Sequence, residues 1–505
     1  MLAPLAADPQ GEKDCGDVLP SFAPLQARRA APEPVWSQKG GTVNDASCLD
    51  RTRVAGVVAP RSERQVADLL AYARATGLTI SPAGVRHSMG GQAFRSGGIM
   101  LDLRDLNEIE MHADRSTITV GAGATWHEIQ KAIHPRFAIK SMQSTDIFTV
   151  GGSISVDAHG MDHRAGAVMN SLRSIRIMLA DGRIVTASPT EKPDLFRLAV
   201  GGYGLFGIIL SADIEVVPND VYTSGRELVS VNELPRTLGR LIADPSVRLM
   251  YAHMSTAPDT LLDETLIYTY RKVPGEASPD LSDVGWVKSR RLIMNLAKRS
   301  PAFQRLKWWA EKNAERRFEG CAVGRSAAMR SGEACFVSRN EPMHDSVLYL
   351  KDAQNGDTNI LQEYFLPRDQ LLPFIEALRP IVRSERANLL NASVRVVGRE
   401  GNFLSYAPEP AYSVALYFNQ RTDREGNARM ERLTSDLINL AQAHGGRFFL
   451  PYQLYYTPQQ LERSYPEIRD FFAEKRKWDP EGRFSNTWYE RYAPALGSSS
   501  PSART

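Results

Sequence analysis

Residues 82–92 read PAGVRHSMGGQ, and the character of this stretch decides the fold. Gly84, Gly90 and Gly91 lack the Cβ atoms that would keep backbone N–H groups from a pyrophosphate, and successive N–H groups in such a turn form an anion-binding concavity. Arg86 adds a fixed positive charge. His87 is the unusual member, because a phosphate cradle needs no imidazole, whereas a flavin held covalently through its 8α-methyl group needs a nucleophilic nitrogen beside the ring. The plainer reading is a turn with a solvent-facing imidazole, so context must decide.

Outward from the loop, residues 60–77 predict a helix. Ser62 and Gln65 make a capping box, Val66, Leu69, Leu70 and Ala73 an apolar stripe, and Gly77 the stop. Residues 78–81 read as the strand feeding the loop, and 99–103 and 117–120 as the next two. Gly121 to Gly123 then turn into a second capped helix, with Thr125 and Glu128 as its box and Trp126, Ile129 and Ile133 facing inward.

Residues 144–160, STDIFTVGGSISVDAHG, form the second informative stretch. Gly151 and Gly152 allow close approach of backbone to a ligand, and Ser153 and Ser155 leave room for it. His159 and His163 stand four apart, a metal-ligand spacing on a helix, but the extended run before them, Gly160 and the lack of a third ligand argue against one. No metal is expected. Residues 173–187 read as a hairpin turning at Asp181 and Gly182. Residues 202–207 are a literal GxGxxG, yet a helix precedes them and a strand follows, the reverse of a nicotinamide-dinucleotide site.

These segments together resemble the vanillyl-alcohol oxidase superfamily of FAD-binding (PCMH-type) flavoproteins. GxxHSxxGQ resembles the flavin-attachment loop of its histidyl branch, TVGG followed by His-Gly the second flavin-contacting segment, and GGYGLFGI the closing turn of the flavin domain. The resemblance is strong over residues 51–218 and weaker over 361–492, and points to the decaprenylphosphoryl-ribose 2-oxidase and alditol or aldonolactone oxidase branches. It implies an α+β fold: a two-subdomain FAD-binding domain at 44–218 and an α+β substrate or cap domain with an antiparallel sheet at 219–450. An irregular arm at 1–43 precedes them, and a segment at 451–505 returns to the FAD domain.

The implied cofactor is FAD, covalent through His87. The implied contacts are Ala83, Gly84, Val85, Arg86, His87, Ser88, Gln92, Ser144, Thr149, Val150, Gly151, Gly152, Ser155, Val156, His159 and Ile209. The implied reaction is oxidation of a CH–OH group of a sugar, polyol, lactone or related alcohol by hydride transfer to flavin N5, with oxygen or another acceptor re-oxidising it.

The base does not transfer from either branch. Tyr452 stands where the ribose oxidases carry lysine, and Ser393 where the alditol oxidases carry glutamate two residues before Arg395. Glu363, Tyr452 and His159 are the candidates, in that order, with Arg395 stabilising negative charge. Two other functions stay open: a flavin-dependent reductase of an enol ether or alkene, and a flavin-binding accessory protein that docks a partner.

Bulk properties set the bounds. A chain of 505 residues, 43% apolar and 24% charged, is a globular protein of more than one domain. A net charge of +3 gives no reason to expect nucleic acid as partner. Cys15, Cys48, Cys321 and Cys335 show no CxxC pair and are expected to be buried thiols. No apolar run is long enough to span a membrane and the first residues lack a secretory pattern, so the chain as given reads as soluble, cytoplasmic or peripheral to a membrane. Residues 286–318 hold ten Lys and Arg against two Glu, interspersed with Trp and Leu. A solvated basic helix pair explains that composition; so does a segment resting on anionic lipid or an acidic partner.

Overall fold

The computed structural model describes residues 32–274, 281, 296–298, 300–313, 336–344 and 356–497. Most of the expected arm lies outside these, but its last part is ordered into the fold. Gln38–Lys39 pairs antiparallel with Gly56–Val58, and Trp36 meets Tyr72 edge-on at 6.0 Å. A Cβ on Gly56 would come within 2.4 Å of the Trp36 ring, so the glycine admits the indole. The core therefore starts near Trp36, ahead of Asn44.

Gly56–Val58, Ile99–Asp102 and Ile80–Ala83 continue that sheet in parallel. Parallel neighbours need a crossover, which the helix Glu63–Thr76 supplies by burying Val66, Leu69, Leu70 and Ala73. Ser62 caps Gln65 N as expected, but the glutamine side chain closes on Arg61 N at 2.6 Å, one residue before the cap. A second, antiparallel sheet is centred on Ile208–Pro218, flanked by Leu172–Met178 and Thr117–Gly121. Its helix Trp126–Ile133 carries the full Thr125–Glu128 box.

One expectation fails here. The run ahead of His159 is expected to be extended, but Val150–Val156 within it is a helix, stopped by Asp157 in the left-handed conformation at φ 47°. Its apolar face is read out by packing, since Val150 and Ile154 are wholly buried and share one side of a turn. His159 and His163 lie beyond that stop, so they do not form a helical pair.

The cap opens at Val221 with an eight-stranded sheet in the order 336–338, 221–230, 264–273, 247–254, 388–397, 411–421, 357–367 and 447–448, all neighbours antiparallel. Side chains alternate between its faces. Tyr364, Val394 and Val414 lie on one face, with the helices Leu371–Ser384 and Arg424–Ala443. Glu363, Ser413, Arg395 and Ser393 share the other.

The chain then returns. Ile80 N donates to Arg483 O and Ser485 N to Ile80 O, so the tail adds a short parallel rung beside the strand that feeds the glycine loop. Phe484 between them is fully buried. Cys48, expected as a thiol, is disulfide-bonded; the other three cysteines lie outside the described residues.

Candidate active site

The two glycine segments lie against each other. A Cβ on Gly84 would sit 2.0 Å from Thr149 Oγ1, so only glycine lets the loop close on the second segment. The left-handed positions are Arg86, at φ 56°, and Gly91, at φ 66°. Residues 84–88 are half-buried, as are Ser144, Ser155 and Val156, while Gly152 is exposed; together they line a cleft. Ser144 Oγ and Thr149 Oγ1 are buried with no hydrogen-bond partner, although Thr149 precedes a helix that its hydroxyl would ordinarily cap. Among the described residues no backbone carbonyl accepts from the amides of Gly84, Val85 or Ser88. Unspent donors on two glycine segments in contact fit the pyrophosphate of a dinucleotide such as FAD.

Other predicted contacts serve the frame. Gln92 spends its amide inside the protein, accepting from Gly90 N at 3.1 Å and donating to Leu450 O at 2.8 Å. Arg86 donates to Asn44 O at 3.1 Å, holding the preceding turn. Ser155 Oγ donates to Gly151 O, and Ile209 is buried opposite Ile177 in the second sheet. Ala83, Val150 and Gly151 are buried where the strand and helix meet the loops. The His87 ring is held edge-on by Phe148, centroids 4.9 Å apart at 84°.

The glycine loop also reaches the cap. Met89 N donates to Pro451 O at 2.7 Å, and a Cβ on Gly90 would lie 2.4 Å from the Tyr452 carbonyl. Tyr452 is thus carried on the same contact that shapes the cofactor loop.

All four catalytic candidates converge. Glu363, 6% exposed, has His159 Nε2 at 2.9 Å from one oxygen and accepts from Ser413 Oγ at 2.6 Å. Its other oxygen accepts from Tyr452 Oη at 3.4 Å. Arg395 stands opposite Ser413 on the adjoining strand. Burial pushes the Glu363 carboxyl up, but His159, Arg395 and Ser413 outweigh it and leave it at about 2. Burial, then the Glu363 charge, drives the Tyr452 phenol well above its usual value. His159 arrives from the FAD domain because Gly160 follows it, where a Cβ would strike Met142 O at 1.9 Å. Phe365, Tyr406 and Phe449 surround its ring, and its Nδ1 is buried without a partner.

Residues 54–188 match the family model described as FAD binding domain, and residues 345–492 the model for D-arabinono-1,4-lactone oxidase. Similar proteins include decaprenylphosphoryl-beta-D-ribose oxidase of Mycolicibacterium smegmatis, 24% identical over 81% of this chain and 88% of that protein. Alditol oxidase of Streptomyces sp. is 23% identical over 77% of this chain and 85% of its own. Cytokinin dehydrogenase 3 of Oryza sativa subsp. japonica is 32% identical, over 31% of this chain and 32% of its own. These family-model hits and relatives match the PCMH-type FAD-binding flavoprotein superfamily. This flavoprotein is an FAD-dependent oxidoreductase of the oxidase kind, which sets aside the accessory-protein reading.

Sequence reasoning missed the supports of the flavoprotein's site. Ser413 and Phe449 had no distinguishing motif, since each is an ordinary residue of or beside a strand until the sheet pairs. Asp45 was missed for the same reason: it lies buried against the glycine loop and accepts the Gly91 amide.

Proposed function

We propose that this flavoprotein oxidises a CH–OH group of a polyhydroxylated compound, a sugar, polyol or lactone, and moves the hydroxyl proton through Tyr452 to Glu363. The chain from Tyr452 Oη to Glu363, backed by His159 and Ser413, carries the proposal. FAD, when bound, supplies the hydride acceptor. Of the four groups, Tyr452 and Arg395 are half-buried while Glu363 and His159 are buried, which supports the first two as the ones that meet a substrate. Tyr452 Oη donates to Glu363 and keeps lone pairs with which to accept a substrate hydroxyl.

The order of candidates therefore changes. Tyr452 makes the contact, and Glu363 is the acceptor behind it. A carboxylate held at about 2 is a weak base toward an alcohol. It is strong enough here, because loss of hydride turns the hydroxyl oxygen into a protonated carbonyl, far more acidic than any carboxylic acid. Arg395 offsets negative charge gathering on the substrate oxygen. Anaerobic mixing with a polyol, an aldonolactone and a pentose phosphate tests the class: flavin absorbance at its visible band should fall with at least one, and a protein that bleaches only on addition of a reductant does not oxidise these compounds.

FAD is attached covalently through His87 in this reading. The edge-on Phe148 holds the imidazole at the junction of the two cofactor segments, which supports it. Acid precipitation should leave yellow, fluorescent protein, and His87→Ala should release all flavin to the supernatant. Flavin freed equally from wild type would refute the link.

The cap also rests on a membrane surface in this reading, with a narrower basis than composition gave. In the helix Pro301–Asn313, Trp308 is buried and donates to Glu264 at 2.6 Å, and Arg305, Lys307 and Lys312 are paired with Asp259, Glu311 and Glu264. Phe303, Leu306 and Trp309, exposed by 40%, 54% and 58%, recur every three residues along one side. That apolar stripe, more than the charge, supports lipid contact.

A further inference from the structure

A second cluster of polar groups lies away from the Glu363 chain. His127 and Gln130 stand three apart on the helix Trp126–Ile133 and so share a side. His127 N donates to Asp146 O at 2.8 Å, which brings the Asp146 side chain, wholly inaccessible, beneath them. His344, 3% accessible, follows the 3₁₀ turn Glu341–Met343 in the cap. Its Nδ1 lies 2.9 Å from Asp146 Oδ2 and 3.0 Å from Gln130 Oε1, and His127 Nδ1 lies 2.8 Å from the same Asp146 oxygen.

The Gln130 orientation is fixed, because its amide nitrogen is directed to Asn340 O and Met142 Sδ. Its oxygen therefore does face His344. The imidazoles are nearly parallel, 11° apart with centroids at 4.9 Å. Among the described residues, His127, Asp146 and His344 form the single group of His, Cys, Asp and Glu whose ligand atoms all lie within 4.8 Å of one another.

Four lone-pair atoms meet here: two imidazole nitrogens, a carboxylate oxygen and an amide oxygen. Neutral imidazoles bring one proton each, and the one on His344 Nδ1 has to be divided between two acceptors. One divalent cation satisfies all four atoms at once. Two nitrogens and two oxygens in a compact set suit a four-coordinate first-row metal, and imidazole favours Zn²⁺ over Mg²⁺ or Ca²⁺.

We infer that His127 Nδ1, His344 Nδ1, Asp146 Oδ2 and Gln130 Oε1 form a site for one divalent transition-metal cation, Zn²⁺ foremost, that clips the FAD domain to the cap. The site shares no residue with the Glu363 chain, and the role inferred for it is structural. Binding would hold the helix Trp126–Ile133 against residues 336–344 and raise the stability of the joined domains by mass action.

Full-length protein, stripped with chelator, should take up about one equivalent of Zn²⁺ per chain by metal analysis after gel filtration. Its Tm should rise on Zn²⁺ addition. Co²⁺ should give the intense ligand-field bands of four-coordinate sites, at longer wavelength than the flavin. Asp146→Asn and His344→Ala should each lose uptake about tenfold or more, with flavin content as the folding control. His127→Gln, at the most exposed ligand, supplies a variant least costly to the fold. Wild type that binds less than about a tenth of an equivalent and shows no Tm shift would overturn the site, leaving a hydrogen-bonded triad. Uptake unchanged in the variants would place the metal elsewhere and overturn it equally.

Discussion

Tyr452 is the open end of a hydrogen-bonded chain whose other members are buried, and its replacement by Phe removes one oxygen and little volume. Such a change should slow flavin reduction by about 10²-fold with folding intact, the usual scale for a lost proton-transfer group. Buried carboxyls weaken the fold above neutral pH, and Asp157 is one of them beside Asp45 and Glu400. Asp157 is fully buried, and burial lifts it to about 7 against only one opposing hydrogen bond, from Met169 N. A carboxyl whose folded pKa is raised binds protons more tightly in the folded state, so its contribution is favourable at low pH and is lost as pH rises from about 4 to about 7. Asp157→Asn keeps an acceptor for Met169 and tolerates the left-handed backbone. It should therefore stabilise by about 1–3 kcal/mol at pH 8 and by much less at pH 4, as read by urea denaturation. Residue type together with the family resemblance pointed to Glu363, Tyr452, His159 and Arg395, whereas which of them stands at the cleft depends on the fold and is not written in the sequence.

The elements that were legible are those whose signals are local. Thr125 with Glu128 announced a helix start, and the helix Pro458–Ser464 carries the same local signal, a complete box between Thr457 and Gln460. Val150–Val156 was obscured because two glycines and β-branched residues oppose helix on propensity, and packing of Val150 and Ile154 overrides it. The start of the helix Arg424–Ala443 was less legible, since Asp423 caps a polar first turn that carries no apolar stripe. The helix Pro301–Asn313 yields a prediction at this scale. Wild type should co-sediment with anionic liposomes, Trp309→Ala should bind several-fold more weakly, and salt should matter little because each of its three cations is paired with a carboxylate of the chain. Trp308→Ala would instead destabilise the cap, so Trp309 is the informative position. A wild type that stays in the supernatant would exclude the lipid contact.

At the scale of the whole molecule, what joins the parts is not sequential. Met89 to Pro451, Ile80 to Arg483 and His159 to Glu363 span hundreds of residues, and no periodicity in the chain encodes such pairings. The eight-stranded order of the cap was hidden for the same reason, whereas the flavin-binding character was visible because two glycine segments report it locally. Phe484, fully buried where the tail rejoins the FAD domain, should cost about 3–5 kcal/mol on truncation to Ala and loosen flavin binding with it. The convergence of both domains on Tyr452 and Glu363 is tested most directly by anaerobic stopped-flow reduction of the flavin by a polyol, an aldonolactone and a pentose phosphate, in wild type, Tyr452→Phe and Glu363→Gln. Oxidation through this relay predicts bleaching of wild type by at least one of the three and rates about 10²-fold lower in both variants at equal flavin content; rates equal to wild type in both variants, or no bleaching by any of the compounds, would contradict it.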